Sequence, residues 1–458
     1  MSNGGQTLLV ESIRKLLRRN AERNLIKILR RTHTADIAAV LRQLSERDRF
    51  KLFNLTPTLE GKGEILSEAD PVIASAILEK LSNEEIVDIL QETNPDDAAD
   101  LVELLGDERS EALLGSWLHE DASEVDTLLG YGGDTAGGIM SPDVFALPQN
   151  TTVKEAIETL QRSHEELEMA FYLYVVNEHG HLVGVCSLRQ LVVASPDTQL
   201  DAIMAPEVTS VTTDTDQEVV AKLVARYNFL AIPVTDDANR LVGMVTVDDV
   251  IDVIKEEATE DMLMMAGAGG AIDEAVTPYA SARLRMPWLL ASFFGGLGST
   301  VIIEMFEATL KEVYVLAAFI PITLGMGGNV GTQAATIVTR GLALGRVNVN
   351  QFMQVIGREV GAGCLLGLFY GIALALVAAI FFADPGPDAE WQTWQLATTV
   401  SLGVATCMII AALVGGAFPI LFEKLGIDPA IAAGPFVTTS VDILGIGAYF
   451  VIGRLLLI

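Results

Sequence analysis

The sequence predicts a multidomain membrane protein. In order, it should have an all-α cytoplasmic superhelical N domain, tandem α/β modules, a connecting helix and a five-helix α transmembrane domain. Three observations predict this. The first is where charge sits. The 458 residues carry 60 Asp and Glu against 30 Lys and Arg, a net charge of −30, yet half the composition is hydrophobic and the mean hydropathy is +0.39. From Arg283 onward there are only ten acids and eight bases, so 50 acids and 22 bases fall in the first 282 residues. The second is a set of five weakly charged apolar runs, each long enough for the ~20 helical residues that cross a bilayer. The third is an internal repeat, residues 139–196 against 203–255.

The same arithmetic excludes an ordinary soluble enzyme. A soluble half of net charge −28 repels phosphate, which argues against nucleic acid as a partner, and it invites cations. Cys186, Cys364 and Cys407 are too few for a disulfide framework or a Cys-rich metal site. The N-terminus has no apolar core or cleavage signature of a secretory signal, so the soluble half is expected in the cytoplasm.

Residues 7–130 show short apolar-periodic segments separated by Leu-Thr-Pro (55–57), Ala-Asp-Pro (69–71), Leu-Ser-Asn (81–83) and Thr-Asn-Pro (93–95), the pattern of paired short helices. In the repeat, Ile-Met-Ser-Pro (139–142) matches Ile-Met-Ala-Pro (203–206), and Leu-Val-Gly-Val-Cys-Ser (182–187) matches Leu-Val-Gly-Met-Val-Thr (241–246). Each copy reads strand, helix, strand, turn, strand, helix, with turns at His179-Gly180 and Asp236–Asn239. This resembles a tandem pair of CBS domains, a regulatory module that commonly binds nucleotides. An acidic helix, 253–266, follows and is broken by Gly-Ala-Gly-Gly (267–270).

The five runs are roughly 286–303, 313–339, 360–383, 391–422 and 429–453. Arg283, Arg285, Arg340, Arg346, Arg358 and Lys424 flank one side, so those loops are cytoplasmic and the C-terminus lies outside. Pro321, Pro419 and Pro435 interrupt three runs. The cluster Ile-Pro-Ile-Thr-Leu-Gly-Met-Gly-Gly-Asn-Val-Gly-Thr-Gln (320–333) suggests loosened backbone, tolerated only where it is buried or lines a wet cavity. Close packing through small residues is the competing account of the glycines. Asp442, in Pro-Phe-Val-Thr-Thr-Ser-Val-Asp (435–442), is a carboxylate deep in a span without a basic partner, costing ~3 kcal/mol to insert. Thr438 falls one turn earlier on its face, and Thr439 flanks that face. Glu359 beside Arg358 reads equally well as an interfacial ion pair.

The whole order resembles the MgtE family of magnesium channels, most sharply in Gly-Met-Gly-Gly-Asn-Val-Gly-Thr-Gln (325–333), Asp-Pro-Ala (428–430) and residues 435–442. The resemblance implies a homodimer in the bacterial inner membrane with its pore between two membrane domains. It divides the chain into a helical domain (1–135), the CBS pair (136–255), a connecting or plug helix (256–282) and the membrane domain (283–458). It puts the pore aspartate at Asp442 and a cytoplasmic-side Mg²⁺ position at Asp428. Regulatory Mg²⁺ would be held by Asp96, Asp100, Asp216, Glu218, Asp249, Asp252, Glu257, Glu260 and Asp261, with Glu64 a less sharply matched addition. It also implies that cytoplasmic Mg²⁺ closes the channel. Asn228 stands where a family member can have Asp, which should weaken any cation site using that position. Some members bind ATP between the CBS units, and Arg189 and Phe229 are the counterparts here. The rival readings are a CBS-regulated ion-coupled secondary transporter of Mg²⁺ or another divalent cation, and a membrane enzyme. The enzyme reading finds no His-Glu-x-x-His, Gly-x-Ser-x-Gly or Walker loop.

Overall fold

The computed structural model describes residues 3–117, 120–162, 171–268, 277–348, 351–382 and 391–458. The chain divides into two compact units, Met1–Glu256 and Glu257–Ile458.

The first unit begins with ten short helices among the described residues, α1 (Asn3–Arg18) to α10 (Glu120–Leu129). The sequence punctuation becomes helix caps. Asp70 accepts the Val72 amide at 3.2 Å, with Pro71 at the first turn of α6 (Pro71–Leu78). Ser82 and Glu85 exchange hydrogen bonds as a capping box for α7 (Asn83–Leu90). Pro95 opens α8 (Pro95–Glu103), where its missing N–H costs nothing.

Two βαββα modules follow. The first is β1 (Ala146–Pro148), α11 (Val153–Arg162), β2 (Tyr172–Val176), β3 (Leu182–Ser187) and α12 (Leu188–Val193). The second is β4 (Val211–Thr212), α13 (Gln217–Tyr227), β5 (Ala231–Thr235), β6 (Leu241–Thr246) and α14 (Val247–Met265). In each, the first strand runs parallel to the second, and the second antiparallel to the third. Both hairpins turn the same way. Asn177 accepts the amides of His179 and His181, and Asp236 those of Ala238 and Arg240.

The modules exchange segments. Ser141 pairs with Met244 on β6, and Ala205 pairs with Val185 on β3. A Cβ at Gly243 would lie 2.9 Å from the Ser141 oxygen, and one at Gly184 would lie 2.8 Å from Met204 Cγ. The repeated Leu-Val-Gly therefore needs its glycine to admit the repeated methionine. The helices and the second module share one core, in which Leu101, Val102, Ile232, Val245 and Val250 are buried.

The second unit contains the tail of α14, then α15 (Pro278–Met305), α16 (Glu307–Glu312), α17 (Leu316–Ala343), α18 (Phe352–Phe381), α19 (Thr393–Lys424), α20 (Pro429–Ile431) and α21 (Val437–Leu457). Four segments are long and apolar enough to cross a membrane: α15, α18, α19 and 429–457. The sequence predicts a fifth. Helix α17 has the length, 28 residues, but its glycines, Asn329 and Gln333 lower its hydropathy. Glycines let these helices touch. A Cβ at Gly363, Gly367 or Gly371 of α18 would meet the α19 backbone at 2.9–3.0 Å, the close approach that small residues permit.

Three expectations about the chain's course are corrected. Helix α17 runs unbroken through Pro321; the non-helical residue is instead Gly434 (φ −85°, ψ −132°), in a π-type turn at 432–436. The acidic helix expected from 253 starts at Val247 and is continuous with the second module. The expected connecting segment, 256–282, is not one helix: α14 ends at Met265, α15 begins at Pro278, and 269–276 lie outside the described residues.

Candidate cation sites

In the second unit the chain leaves α19, turns through α20 and kinks at Gly434 before α21. Asp428 caps α20, accepting the Ala430 amide at 2.7 Å, and is exposed. Its carboxylate thus has a structural task at the position where the resemblance implies a cation. Beyond the kink, Asp442 is half-buried on α21. Thr438 and Thr439 both donate to the Pro435 carbonyl, at 3.1 and 2.7 Å. A hydroxyl that has given its proton to the backbone offers only lone pairs elsewhere. These two hydroxyls before Asp442 therefore present only acceptors, the polarity that meets the water protons of a hydrated cation.

The glycine cluster splits into two faces. Gly327 and Gly331 press on Cys407, Val437 and Val441, so packing accounts for them; Gly325 and Gly328 face open space. Asn329 and Gln333 are exposed beside them. Glu359 is buried on α18 and pairs with Arg358 at 3.3 Å, which makes it the structural ion pair of the two readings.

The end of α14 lies against the kink. Gly267, at φ +66°, stops the helix. A Cβ there would be 3.4 Å from Pro435 Cδ, and one at Gly434 would be 3.4 Å from the Met264 carbonyl oxygen. Glu257, Glu260 and Asp261 are half-buried on this tail.

In the first unit, α8 and the start of α14 bring acids together. Asp96, Asp100 and Glu103 fall on one face of α8, and Asp249 and Glu256 on one face of α14. Asp96 Oδ1 is buried with no hydrogen-bond partner among the described residues. Burial raises the Asp96 carboxyl above its ordinary value, and Asp248 adds to this. Asp100 keeps solvent on one side, yet desolvation of its carboxyl, then the charges of Asp96, Glu103, Asp249 and Glu256, push it up to about 7. Desolvation, then Asp96 and Asp248, take Asp249 to about 7 against the pull of Thr246 Oγ1, which donates to it. Sequence reading missed Glu103, Asp248 and Glu256; the helical spacing of acids on α8 and α14 was the available signal.

The remaining acids stand apart from these couplings. Asp216 caps α13 through the Glu218 amide, Glu218 pairs with Lys222 at 2.8 Å, and Asp252 pairs with Lys255 at 2.5 Å. Glu64 is exposed on α5 (Leu59–Ser67). Among the described residues no three His, Cys, Asp or Glu close around a metal position.

For a nucleotide, Arg189 is exposed on α12, and a guanidinium there suits phosphate. Phe229 is less available: its ring stacks on Tyr227 at 5.3 Å and packs against the core. Asn228 between them is left-handed at φ 54° and caps α13, a conformation Asn tolerates well.

Residues 320–452 match the family described as MgtE, divalent cation transporter; residues 32–134 match the MgtE intracellular N domain, and 136–197 and 200–256 match the CBS domain. The chain is 40% identical over 335 residues to the magnesium transporter MgtE of Thermus thermophilus, covering 71% of each, and 40% identical over 324 residues to that of Bacillus subtilis, covering 70% of each. A crystal structure of the cytosolic domain of the Mg²⁺ channel MgtE in complex with ATP superimposes with a TM-score of 0.51 at 38% identity, covering 53% of this chain and 99% of that one. The soluble part of a magnesium transporter gives 0.50 at 32% identity, covering 55% of this chain and 99% of that one.

Proposed function

The chain belongs to the MgtE family of divalent cation transporters, and from that premise we propose that it is a Mg²⁺ channel that cytoplasmic Mg²⁺ closes. The observation that carries the reading is Asp442, an acid on a membrane helix directly after the Gly434 kink, preceded by hydroxyls whose protons are already spent. Mg²⁺ sheds water reluctantly and keeps several waters in its sites. A carboxylate with acceptor lone pairs suits an ion held through those waters. One Asp442 per chain makes half a site, and a second copy related by a twofold axis completes it. Exposed Val192 (78%) on α12 and Ile251 (49%) on α14 occupy equivalent repeat positions and supply an apolar face for that copy. In this reading α17 is the fifth span, its polar face turned to the pathway, and the C-terminus lies outside the bacterial inner membrane.

Closure uses the acids. Like charges gathered at Asp96, Asp100, Asp249 and Glu256 oppose compaction until a cation joins them. Mg²⁺ favours whichever arrangement binds it better. Glu257, Glu260 and Asp261, with Asp216, Glu218 and Asp252, extend the acidic set, and weak carboxylate sites of this kind respond at about millimolar concentration. Pressing the end of α14 on the Gly434 kink shuts the pathway, so the channel opens when the cell lacks Mg²⁺. ATP at Arg189 adds a second input; the cytosolic domain of a similar Mg²⁺ channel was solved in complex with ATP.

The test is single-channel recording of reconstituted protein while cytoplasmic Mg²⁺ is raised. Wild type should carry unitary current and close. The joint neutralisation Glu257→Gln, Glu260→Gln, Asp261→Asn, or deletion of residues 1–130, should shift closure to higher Mg²⁺. Closure unchanged in both would sink the gating scheme. Transport without unitary current would favour an ion-coupled transporter.

A further inference from the structure

Ahead of the matched intracellular domain, which begins at residue 32, the chain reverses its charge. Eight Lys and Arg stand between Arg14 and Arg31 against a single acid, Glu22, in a protein of net charge −30. Glu22 itself faces Lys51 at 3.6 Å. All eight bases are exposed, and among the described residues no ion pair joins any of them to a carboxylate. Helix α1 turns Val10, Ile13 and Leu17 inward. Its other side holds a groove of about 280 Å³ lined by Glu11, Arg14, Lys15, Arg18 and Arg19. Arg14 and Arg18, like Lys15 and Arg19, are four residues apart and repel one another along the helix. Leu8, 65% exposed, stands at the head of the same helix.

We propose that this basic face, on α1 and α2 (Glu22–Leu29), docks on anionic phospholipid headgroups of the leaflet next to the membrane unit. The chemistry is complementary. Guanidinium groups pair with phosphate in bidentate fashion, a basic amphipathic helix is a membrane-surface pattern, and an exposed Leu adds an apolar contact at the acyl boundary. Among the described residues the many acids of the soluble half form no ion pair with these bases, of which Arg14 donates to the Gln43 carbonyl, and a second copy would bring only the same acids. Tethering decides between lipid and nucleic acid. A chain held in a bilayer meets its lipid at high effective concentration, whereas a nucleic acid must approach against the negative remainder of the molecule. The inference rests on the second unit being embedded in a membrane.

The test uses the full chain in nanodiscs of phosphatidylcholine alone or with one-third phosphatidylglycerol, following acylation of Lys15 and Lys27, with Lys222 on α13 as internal control. Anionic discs should slow Lys15 and Lys27 about fivefold, as several bases acting near a charged surface would, and high salt should restore the rate. Arg18→Gln with Arg19→Gln, both exposed and unpartnered, should remove most of the protection. Equal rates in the two discs overturn the proposal. Protection in both discs that grows with copies per disc assigns the face to a second chain, and protection by a DNA duplex in neutral discs alone assigns it to nucleic acid; either overturns it. A chain that does not enter the discs fails the membrane reading as well, whereas an inserted chain with unprotected lysines fails this one alone.

Discussion

Asp100 in the cytosolic unit is acted on by Asp96, Glu103, Asp249 and Glu256, whereas Asp442 in the membrane unit is the single acid of α21. The first unit makes its acids costly by crowding and desolvating them, so a proton or a cation relieves several at once. The second makes one acid costly by the phase around it, and no other acid of α21 can share its task. A crowded group should fail gradually under mutation, and a solitary one all at once.

The largest expected effect follows from the solitary acid. Asp442→Asn should lower Mg²⁺ current by more than about tenfold, a loss of at least ~1.4 kcal/mol, in protein that still elutes as folded wild type. Asp100→Asn should leave conduction intact and shift the closing concentration about twofold, since the other carboxylates remain. Wild-type current in Asp442→Asn would erase the contrast.

Packing gives a contrast within the second unit. In the membrane unit Gly367→Leu drives a side chain into Ala405, where even a Cβ would lie 2.9 Å from Cα, and should cost about 1–3 kcal/mol, seen as a lower melting temperature in detergent. Gly325→Ala, with nothing within 4 Å, should be close to neutral. Equal losses would mean that the glycine faces are not distinct.

A third effect is pH-dependent. Asp100 and Asp249 titrate near 7 in the folded protein, above the ordinary 3.8. Raised carboxyls contribute stability while protonated, fully below about 4, and lose it as pH rises through about 7. Cation-free protein should therefore melt lower at pH 8 than at pH 5, and Mg²⁺ should flatten the difference. A melting temperature that rises over that range would count against the acidic cluster. A moderate effect should come from Gly243→Ala, about 1 kcal/mol by chemical unfolding, because the flexible Met140 thioether can yield while the Ser141 carbonyl, 2.9 Å from the added Cβ, cannot.

Much of this was legible in the sequence. Caps at Asp70 and Ser82 are local chemistry, and the repeat announced both modules and their turns. Asp442 stood out because an acid in an apolar run needs no tertiary knowledge to be noticed. Which cytosolic acids lose solvent was not legible. Asp96 and Asp249 are more than 150 residues apart, and only the shared core of the first unit brings them close enough to act on each other. Asp216, Glu218 and Asp252 look the same in sequence, yet they cap or pair locally. Pro321 misled for a related reason: a proline removes one hydrogen bond, and α17 stays helical through it, while the break went to Gly434, where glycine can take ψ −132°.

The exchanged segments of the two modules carry a consequence for origins. Met140 fills the space at Gly243 and Met204 the space at Gly184, so each half is finished by the other. An ancestral gene encoding one such half would have had nothing to seat in its own glycine notch except the methionine of an identical molecule. Duplication and fusion would then have recorded, within one polypeptide, an assembly that already existed between two. A half-length fragment carrying residues 200–256 is accordingly expected to sediment as a pair, and a stable monomer of it would refute that history.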